Sequence, residues 1–314
     1  MPDRHRRSGP QRAERPTPSR SPKKRADGPS TRDGQRSGRT LSVTTRNALF
    51  QQWEAMLTNR NKRQRLGQFL IQGVRPITLA VDHGWPLHHL LYPADRRLSD
   101  WARRMIGDSG APAVRVDPDL LAELGERGSG TPELIAVGGL RDDAYDRLAV
   151  GTDFLGVAFD RPGFPGNIGT LVRSADAFGA NGVIVTGHAA DVYDPKSVRA
   201  STGSLFAVPV IRRPSPADVL DWVRAQRDRG VPIRVVGTDE GGATTVTACD
   251  LATPTLLVIG NETTGMAAGW REVCDEVVNI PIGGAASSLN AASAATLLLY
   301  EAARQRGFPA GIPR

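Results

Sequence analysis

Residues 154–185 have the sequence FLGVAFDRPGFPGNIGTLVRSADAFGANGVIV, and this stretch decides the fold class. An apolar run of strand length is followed by a turn rich in proline and glycine, then by a helical stretch, and then by the apolar run GVIV. The spacing predicts a helix over residues 168–178, which Asn167 caps and which ends at Gly179. A strand, a helix and a strand in this order form the unit of a parallel sheet.

Arg173 lies on this predicted helix, on the same face as Gly169 and Ala177. Gly169 permits the helix to pack closely against a neighbour. An arginine on such a helix is more often a surface or ion-pair residue than a catalytic one. The helix alone therefore leaves the role of Arg173 open.

The pattern of the 154–185 stretch continues towards the C-terminus. Apolar strand-like runs alternate with helical stretches, which predicts an α/β domain with a mainly parallel sheet. The predicted strands are FLGVAF, GVIVT, SLFAVPVI, IRVVGT and LLVIG. The predicted helices cover residues 168–178, 195–201, 216–229 and 267–272.

One of these strands leads into a polar turn. Residues 256–266, LLVIGNETTGM, place Asn261 and Glu262 between glycines at the carboxyl end of a continuous apolar strand. Such strands belong to parallel sheets that are covered on both faces. Binding sites of α/β proteins lie at the carboxyl ends of their strands, so this turn is a candidate site.

A run of very small side chains follows. Residues 280–293 have the sequence IPIGGAASSLNAAS and precede the helical stretch AATLLLYEAARQR. Bare backbone of this kind permits the close approach either of a ligand or of a packed neighbouring element, and both interpretations stay open. Ser288 and Asn290 can hydrogen-bond a ligand or the loop, whereas Ser287 fits better as a helix cap.

The net charge of +7 resides in one segment of the chain. Residues 1–40 contain 12 Lys/Arg and 4 Asp/Glu, while the remainder contains 28 and 29. The first 40 residues lack large apolar side chains, so we predict a disordered basic tail that binds phosphate non-specifically or is merely solvated.

Only two cysteines occur, and we expect free, inert thiols and no metal site. No run is long enough to span a membrane and the start lacks the apolar core of a signal peptide, so we expect a cytoplasmic protein.

Residues 41–140 predict a smaller α/β domain. Helical periodicity over residues 46–60 precedes a basic patch, which is followed by the apolar stretch FLIQGVRPITLAV. The pattern further predicts strands at 87–91, 113–116 and 132–137, and helices at 95–106 and 117–125. The patch is either an RNA contact or a solvated loop; it comprises Arg60, Lys62, Arg63 and Arg65. The polar residues 141–152 predict a linker to the larger domain, residues 153–308.

Three of these segments, in this order, resemble the three motifs of the SpoU or TrmH-like branch of the SPOUT RNA 2'-O-ribose methyltransferases. The first motif is Asn167, Gly169 and Arg173, the second is Gly260-Asn261-Glu262, and the third is Ile280-Pro281 with Ser288-Leu289-Asn290. Departures from the family pattern, at Thr263, Thr264, Ile282, Ala291 and Ala292, remove no polar side chain implicated in the chemistry. The resemblance implies a C-terminal domain with a deep trefoil knot and, for residues 41–140, an RNA-binding domain similar to ribosomal protein L30e.

The resemblance also implies the cofactor and the partners. The chain lacks the GxGxxG loop of Rossmann-type methyltransferases, and the family instead binds S-adenosyl-L-methionine (AdoMet) through bent loops. Matching positions for the cofactor are Thr238, Gly260, Ile280 and Leu289. Matching positions for the chemistry are Arg173, Asn167, Glu262, Ser288 and Asn290. In the family a homodimer forms and the partner's first-motif arginine completes each site.

Three hypotheses for the function follow. The first is 2'-O-ribose methylation of RNA, with a uridine of 23S rRNA as the target and resistance to a ribosome-targeting antibiotic as the consequence. The second is a housekeeping methyltransferase of tRNA or 23S rRNA. The third is a non-catalytic RNA-binding or assembly protein, against which the retention of all five polar motif residues argues.

Overall fold

The computed structural model describes residues 41–125 and 130–308. The predicted basic tail, residues 1–40, lies outside these ranges. The described part contains two sheets, one of five strands formed by residues 41–139 and one of seven strands formed by residues 155–279.

The first sheet is mixed, and helices separate its strands. Its strands are β1 (Leu41–Val43), β2 (Gln68–Gln72), β3 (Leu87–Pro93), β4 (Ala113–Val116) and β5 (Ile135–Gly139). Its helices are α1 (Ala48–Thr58), α2 (Arg60–Leu66), α3 (Val74–Asp82), α4 (Asp100–Ser109) and α5 (Pro118–Leu124). The strand order is β1-β4-β3-β5-β2, in which β5 runs antiparallel to both β2 and β3.

The second sheet is entirely parallel, as the alternating pattern predicts. Its strands are β6 (Leu155–Asp160), β7 (Gly182–Thr186), β8 (Val210–Arg213), β9 (Arg234–Thr238), β10 (Thr244–Thr245), β11 (Thr255–Ile259) and β12 (Glu276–Asn279). Its helices are α6 (Pro165–Ala177), α7 (Pro195–Ala200), α8 (Ser204–Ala207), α9 (Pro216–Asp228), α10 (Ala268–Arg271) and α11 (Ala291–Gln305). The central strands β6, β7 and β11 are buried along their whole length, because helices cover both faces of the sheet.

The strand order β10-β12-β9-β11-β6-β7-β8 makes the chain cross the sheet twice near its C-terminus. After β11 the chain passes β9 to form β12, and it then returns so that α11 packs against α6. This return lies in the part of the chain for which the resemblance implies the knot.

Two predictions about secondary structure were wrong. The run SLFAVPVI is not one strand: residues 204–207 form α8, and the strand β8 starts only at Val210, after Pro209. Asn167 is not the cap of α6, because the helix begins two residues earlier at Pro165 and Phe164 occupies the N-cap position. Proline at the first helical position is pre-organised for a helix start, which explains the shift.

The two sheets share an apolar core. One buried cluster contains Phe69 and Trp85 from the five-stranded part together with Tyr193 and Phe206 from the seven-stranded part. The ring centroids of Phe69 and Tyr193 lie 4.8 Å apart, and those of Trp85 and Phe206 lie 5.1 Å apart. Residues 141–152, the predicted linker, contain a short 3-10 turn at Tyr145–Arg147. The domain limits at residues 140 and 153 stay predictions.

Candidate active site

The three sequence motifs meet at the carboxyl edge of the parallel sheet. Asn167 Nδ2 donates to Glu262 Oε1 at 2.8 Å, and Asn290 Nδ2 donates to Asn167 Oδ1 at 3.2 Å. The second carboxylate oxygen of Glu262 accepts from the backbone N–H of Gly163 at 3.0 Å. We call Asn167, Glu262 and Asn290 the three-motif cluster, since it takes one side chain from each motif.

Asn290 has two roles in this cluster. It is the N-cap of α11, where its Oδ1 accepts from the backbone N–H groups of Ala292 at 2.9 Å and Ser293 at 3.2 Å. Ser287, expected as the cap, is an exposed loop residue instead, so that expectation was wrong. Because Asn290 both caps α11 and binds Asn167, the start of α11 is fixed to α6.

Sequence reasoning missed Arg161, which supports the turn that carries Glu262. Its backbone φ is +49°, a region that residues other than glycine seldom adopt. Its guanidinium pairs with the fully buried Asp160 at 3.0 Å and donates to Gly265 O at 3.0 Å, while Asn261 Nδ2 donates to Arg161 O at 2.6 Å. A sequence carries no direct signal for such a backbone conformation.

Gly260 is required by the shape of this turn. A Cβ atom at residue 260 would lie 2.5 Å from the backbone of both Gly265 and Met266. Immediately after Gly260, Asn261 and Gly265 exchange two backbone hydrogen bonds of 3.0 Å, which close the turn. Any other residue at position 260 would open the turn that presents Glu262.

Three of the four predicted cofactor residues end adjacent strands. Thr238 closes β9, Gly260 follows β11 and Ile280 follows β12, and β9 lies between the other two strands. Thr238 Oγ1 donates to Val258 O at 3.1 Å, which holds the end of β9 to β11. The fourth residue, Leu289, is 40% exposed at the end of the loop that leaves Ile280.

The loop formed by residues 281–289, which we call the open loop, lies exposed throughout. Within the described ranges, its backbone N–H and C=O groups form no hydrogen bond with other protein groups. Ser288 belongs to this loop, and no hydrogen bond connects it to the three-motif cluster. Unpaired main chain in the open loop and the apolar side chains of Ile280 and Leu289 fit an adenine edge and the carbon chain of a sulfonium compound, so these residues suit AdoMet.

Arg173 stands apart from the cluster. Its side chain is exposed on α6, and among the described residues it has neither a hydrogen bond nor an ion pair. Asn167 is not bonded to Arg173 within the described part of one chain, because its side chain is engaged with Glu262 and Asn290. The other residues on this outward face of α6 are small, namely Thr170 and Ala177, so nothing on the helix screens the guanidinium.

The basic patch that was expected to contact RNA is only partly available. Arg63 is buried and forms an ion pair with Asp191, while Arg60 donates to the backbone oxygen of Ala189 at 2.7 Å. The interpretation of Arg63 as an RNA contact or a solvated residue was therefore wrong. Arg65 is exposed at the surface.

The two cysteines are free thiols. Burial raises the pKa of Cys249 to about 12 and that of Cys274 to about 11, so both thiols stay protonated and unreactive at neutral pH. Across the ranges that the structure describes, no His, Cys, Asp and Glu side chains gather in the manner of metal ligands. No helix in these ranges combines the length and apolar composition that a membrane span requires.

Comparison with known proteins identifies the family. Residues 47–136 match the SpoU L30e-like domain, and residues 155–300 match the SpoU rRNA Methylase family. The chain is 58% identical over 273 residues to the 23S rRNA (uridine(2479)-2'-O)-methyltransferase of Streptomyces viridochromogenes, covering 87% of this chain and 95% of that protein.

Solved structures agree with this match. The AdoMet complex of the SpoU methyltransferase AviRb from Streptomyces viridochromogenes has a TM-score of 0.80 and 59% identity, and it covers 83% of this chain and 98% of that chain. An AdoMet-bound rRNA methyltransferase from Sinorhizobium meliloti has a TM-score of 0.74 and 28% identity, with coverage of 84% and 97%. The SPOUT-type fold expected from the sequence is confirmed, and the chain belongs to the SpoU rRNA methylase family of AdoMet-dependent RNA 2'-O-ribose methyltransferases.

Proposed function

We propose that this protein transfers the methyl group of AdoMet to the ribose 2'-hydroxyl of a uridine in 23S rRNA. The observation that supports it most is the three-motif cluster, in which residues 123 positions apart in the sequence meet at one edge of the sheet. The 58% identity to an enzyme with that activity supports the choice of RNA and nucleotide.

The cofactor supplies an electrophilic methyl group on a sulfonium centre. We assign its binding to Thr238, Gly260, Ile280 and Leu289, with the backbone of the open loop against the adenine. Because the backbone N–H and C=O groups of the open loop are not bonded to other described protein groups, all of them are available to a ligand. The apolar pair Ile280 and Leu289 would shield the reacting centre from water.

Arg173 acts on the ribose that is methylated. As the 2'-oxygen bonds to the methyl carbon, the carbon–sulfur bond of AdoMet breaks and its sulfur leaves as a neutral thioether. The hydroxyl proton passes to solvent, and negative charge develops on the 2'-oxygen as it leaves. Because a guanidinium stays protonated in proteins, we assign Arg173 as the electrostatic stabiliser of that oxygen and as a clamp on the adjacent phosphate. Its exposure and its lack of partners in the described part of one chain leave all its donors for RNA.

The remaining motif residues position these groups. Glu262 connects the second-motif turn to the start of α6. Asn167, on α6, also accepts a hydrogen bond from Asn290 at the start of α11. We assign Ser288 to a hydrogen bond with the ribose or with the open loop. Positioning of this kind contributes much of the rate in a displacement between two bound reactants.

We further propose a homodimer in which Arg173 serves the site of the partner subunit. Support comes from the exposed apolar side chains that cluster around α6 and α11. Leu297 is 43% exposed and Tyr300 is 47% exposed on α11, whereas Leu298 and Leu299 next to them are fully buried. Tyr300 also contacts the rings of Phe178 and Phe308, so the patch is continuous across the two helices.

Mixing two inactive variants tests this arrangement. Arg173→Ala removes the stabiliser, and Leu289→Asp, at an exposed position that tolerates substitution, removes the apolar wall of the cofactor site. Heterodimers purified through two different affinity tags should regain part of the activity, because one of their two sites has both elements. Absence of rescue in proven heterodimers would mean that each site is built within one chain.

Mapping of ribose methylation by mass spectrometry tests the target. Ribosomal and transfer RNA from cells with and without the protein should differ at one uridine of 23S rRNA. A modified tRNA would favour the housekeeping hypothesis, and unchanged RNA would favour the non-catalytic one. Resistance to a ribosome-targeting antibiotic, and action in the cytoplasm, belong to the same proposal. Growth of the two strains on such antibiotics tests the resistance.

A further inference from the structure

Arg63 is buried between the two sheets and not on an RNA-facing surface. It lies on α2 with 1% of its surface exposed. Its Nε donates to Asp191 Oδ2 at 2.7 Å, its Nη1 to Met56 O at 2.7 Å, and its Nη2 to Asp194 Oδ2 at 3.4 Å. We call Arg63, Asp191 and Asp194 the junction cluster, because it joins α2 to the segment that leads into α7.

Asp194 transmits this contact to α7. Its Oδ1 accepts from the backbone N–H of Lys196 at 2.9 Å, so the carboxylate that faces Arg63 is also the N-cap of α7. Asp191 is similarly shared, since its Oδ1 accepts from the backbone N–H of Tyr193 at 3.1 Å. The position of α7 is therefore fixed to α2 through directional bonds.

α7 in turn packs against α6, the helix that carries Asn167 and Arg173. A Cβ on Gly169 would lie 2.2 Å from Ser197 O and 2.8 Å from the Cβ of Ala200, so α6 and α7 touch through bare backbone. Such a contact leaves no side chain that could adjust if α7 moved. Asn167 and Arg173 lie on either side of Gly169 on α6.

We propose that the junction cluster sets the distance and orientation between the part of the chain that holds RNA and the helix that acts on it, with Arg63 as a positioning residue. Apolar surfaces such as the shared core pack without strong directional preference, whereas a guanidinium between two carboxylates fixes one arrangement. Buried ion pairs often add little net stability, and in some proteins buried polar groups instead fix one conformation. This inference rests on the proposed function for what the geometry is used for.

The test replaces both members of the buried Arg63–Asp191 pair, so that neither stays behind as an unpaired, fully buried charge; the Asp194 carboxylate, which is 24% exposed, retains its contact with Lys196 N. Arg63→Met with Asp191→Asn removes the ion pair but retains an acceptor for Tyr193, and Asp194→Asn is a milder variant that retains the helix cap. Hydrogen exchange of residues 189–200 should become about tenfold faster, because opening of this segment no longer breaks an ion pair. Arg65→Met, on the same helix but exposed, should leave that exchange unchanged.

Steady-state methyl transfer provides the second measurement. The double variant should bind AdoMet as the wild type does, and should lose about tenfold or more in kcat with a smaller change in KM for RNA, since misplacement affects the transition state most. A wild-type kcat together with faster exchange would overturn the positioning role. Weaker RNA binding with a reduced salt dependence and a normal kcat would instead make Arg63 a phosphate contact.

A wild-type enzyme without activity on 23S rRNA would contradict the proposed function, whereas the exchange experiment would still test the junction cluster.

Discussion

The two halves of the candidate site differ in how far one chain organises them. Around the three-motif cluster, the side chains of Asp160, Arg161, Asn167, Asn261 and Glu262 each have a hydrogen-bond partner at 2.6 to 3.0 Å. In the open loop and at Arg173, no such partner exists among the described residues. The first half is pre-organised by the fold, and in the proposed function the second half is completed by cofactor, RNA and partner subunit. Substitutions in the two halves should therefore have different signatures.

The largest effect is expected from Arg173→Ala. Methyl transfer should fall by about 10²- to 10³-fold, as for the loss of one transition-state donor. AdoMet affinity and the melting temperature should not change, because the exposed side chain has no hydrogen bond or ion pair within the described part of its own chain. A tritium-transfer assay combined with calorimetry measures both. Near-wild-type turnover would remove Arg173 from the chemistry.

The next effect is expected from Leu297→Glu. In the proposed dimer, burial of Leu297 contributes about 1.5 kcal/mol per subunit to the free energy of association. Loss of this contribution from both subunits should raise the dissociation constant about a hundredfold. Light scattering over a dilution series measures the mass, and activity should fall with it. Leu41→Glu is the matched control, since Leu41 is 46% exposed at the edge of the other sheet. A monomeric wild type would contradict the proposed assembly.

Glu262→Gln should show the signature of the pre-organised half, which combines loss of stability with loss of activity. Oε1 of Glu262 accepts from Asn167 Nδ2, and its Oε2 accepts from Gly163 N and, at 3.4 Å, from Asn261 Nδ2. A glutamine has only one acceptor oxygen and would turn its NH2 group towards donors on one of the two sides, so the free energy of unfolding should fall by about 1–2 kcal/mol. Activity should fall about tenfold because the turn and α6 are no longer held together. Urea unfolding and the tritium assay on one preparation test the coupling, and unchanged stability would place Glu262 in the other half.

The smallest effect is expected from deletion of residues 1–40. Their excess of eight positive charges should strengthen RNA binding through phosphate contacts, so deletion should weaken affinity a few-fold at low salt and hardly at all at high salt. Phosphate contacts carry no sequence information, so the modified nucleotide should stay the same. Filter binding over a salt series and mapping of the methylated site test this. A shift to another nucleotide would make these residues a specificity element.

The sequence allowed the parallel sheet and the three motifs to be predicted, because continuous apolar runs and polar strand ends leave a local signal. It did not allow α8 to be predicted, since a short apolar run such as SLFAVPVI fits a buried helix as well as a strand. The edge strand β10 and its neighbour β12 were missed because they are only two and four residues long. The knot came only from the family resemblance, since it depends on the path of the whole chain.

For the site, the polar residues themselves were easier to predict than the contacts that they make. The sequence identified Glu262 and Asn290 as polar residues in suitable places, but it could not show that both bind Asn167. Arg161 was missed because its contribution depends on a backbone angle. Arg63 was misassigned because a count of basic residues does not distinguish a guanidinium facing solvent from one enclosed by two carboxylates.

The shared core between the two sheets has a consequence for how such enzymes can acquire new targets. If the N-terminal L30e-like part were a freely exchangeable module, recombination at residues 141–152 would suffice to give the methylase part a new target. Here that exchange would separate Phe69 and Trp85 from Tyr193 and Phe206, and Arg63 from Asp191. A functional hybrid must therefore inherit residues 189–206 from the same parent as its N-terminal half. Selection for a new target would act on surface substitutions more readily than on domain exchange.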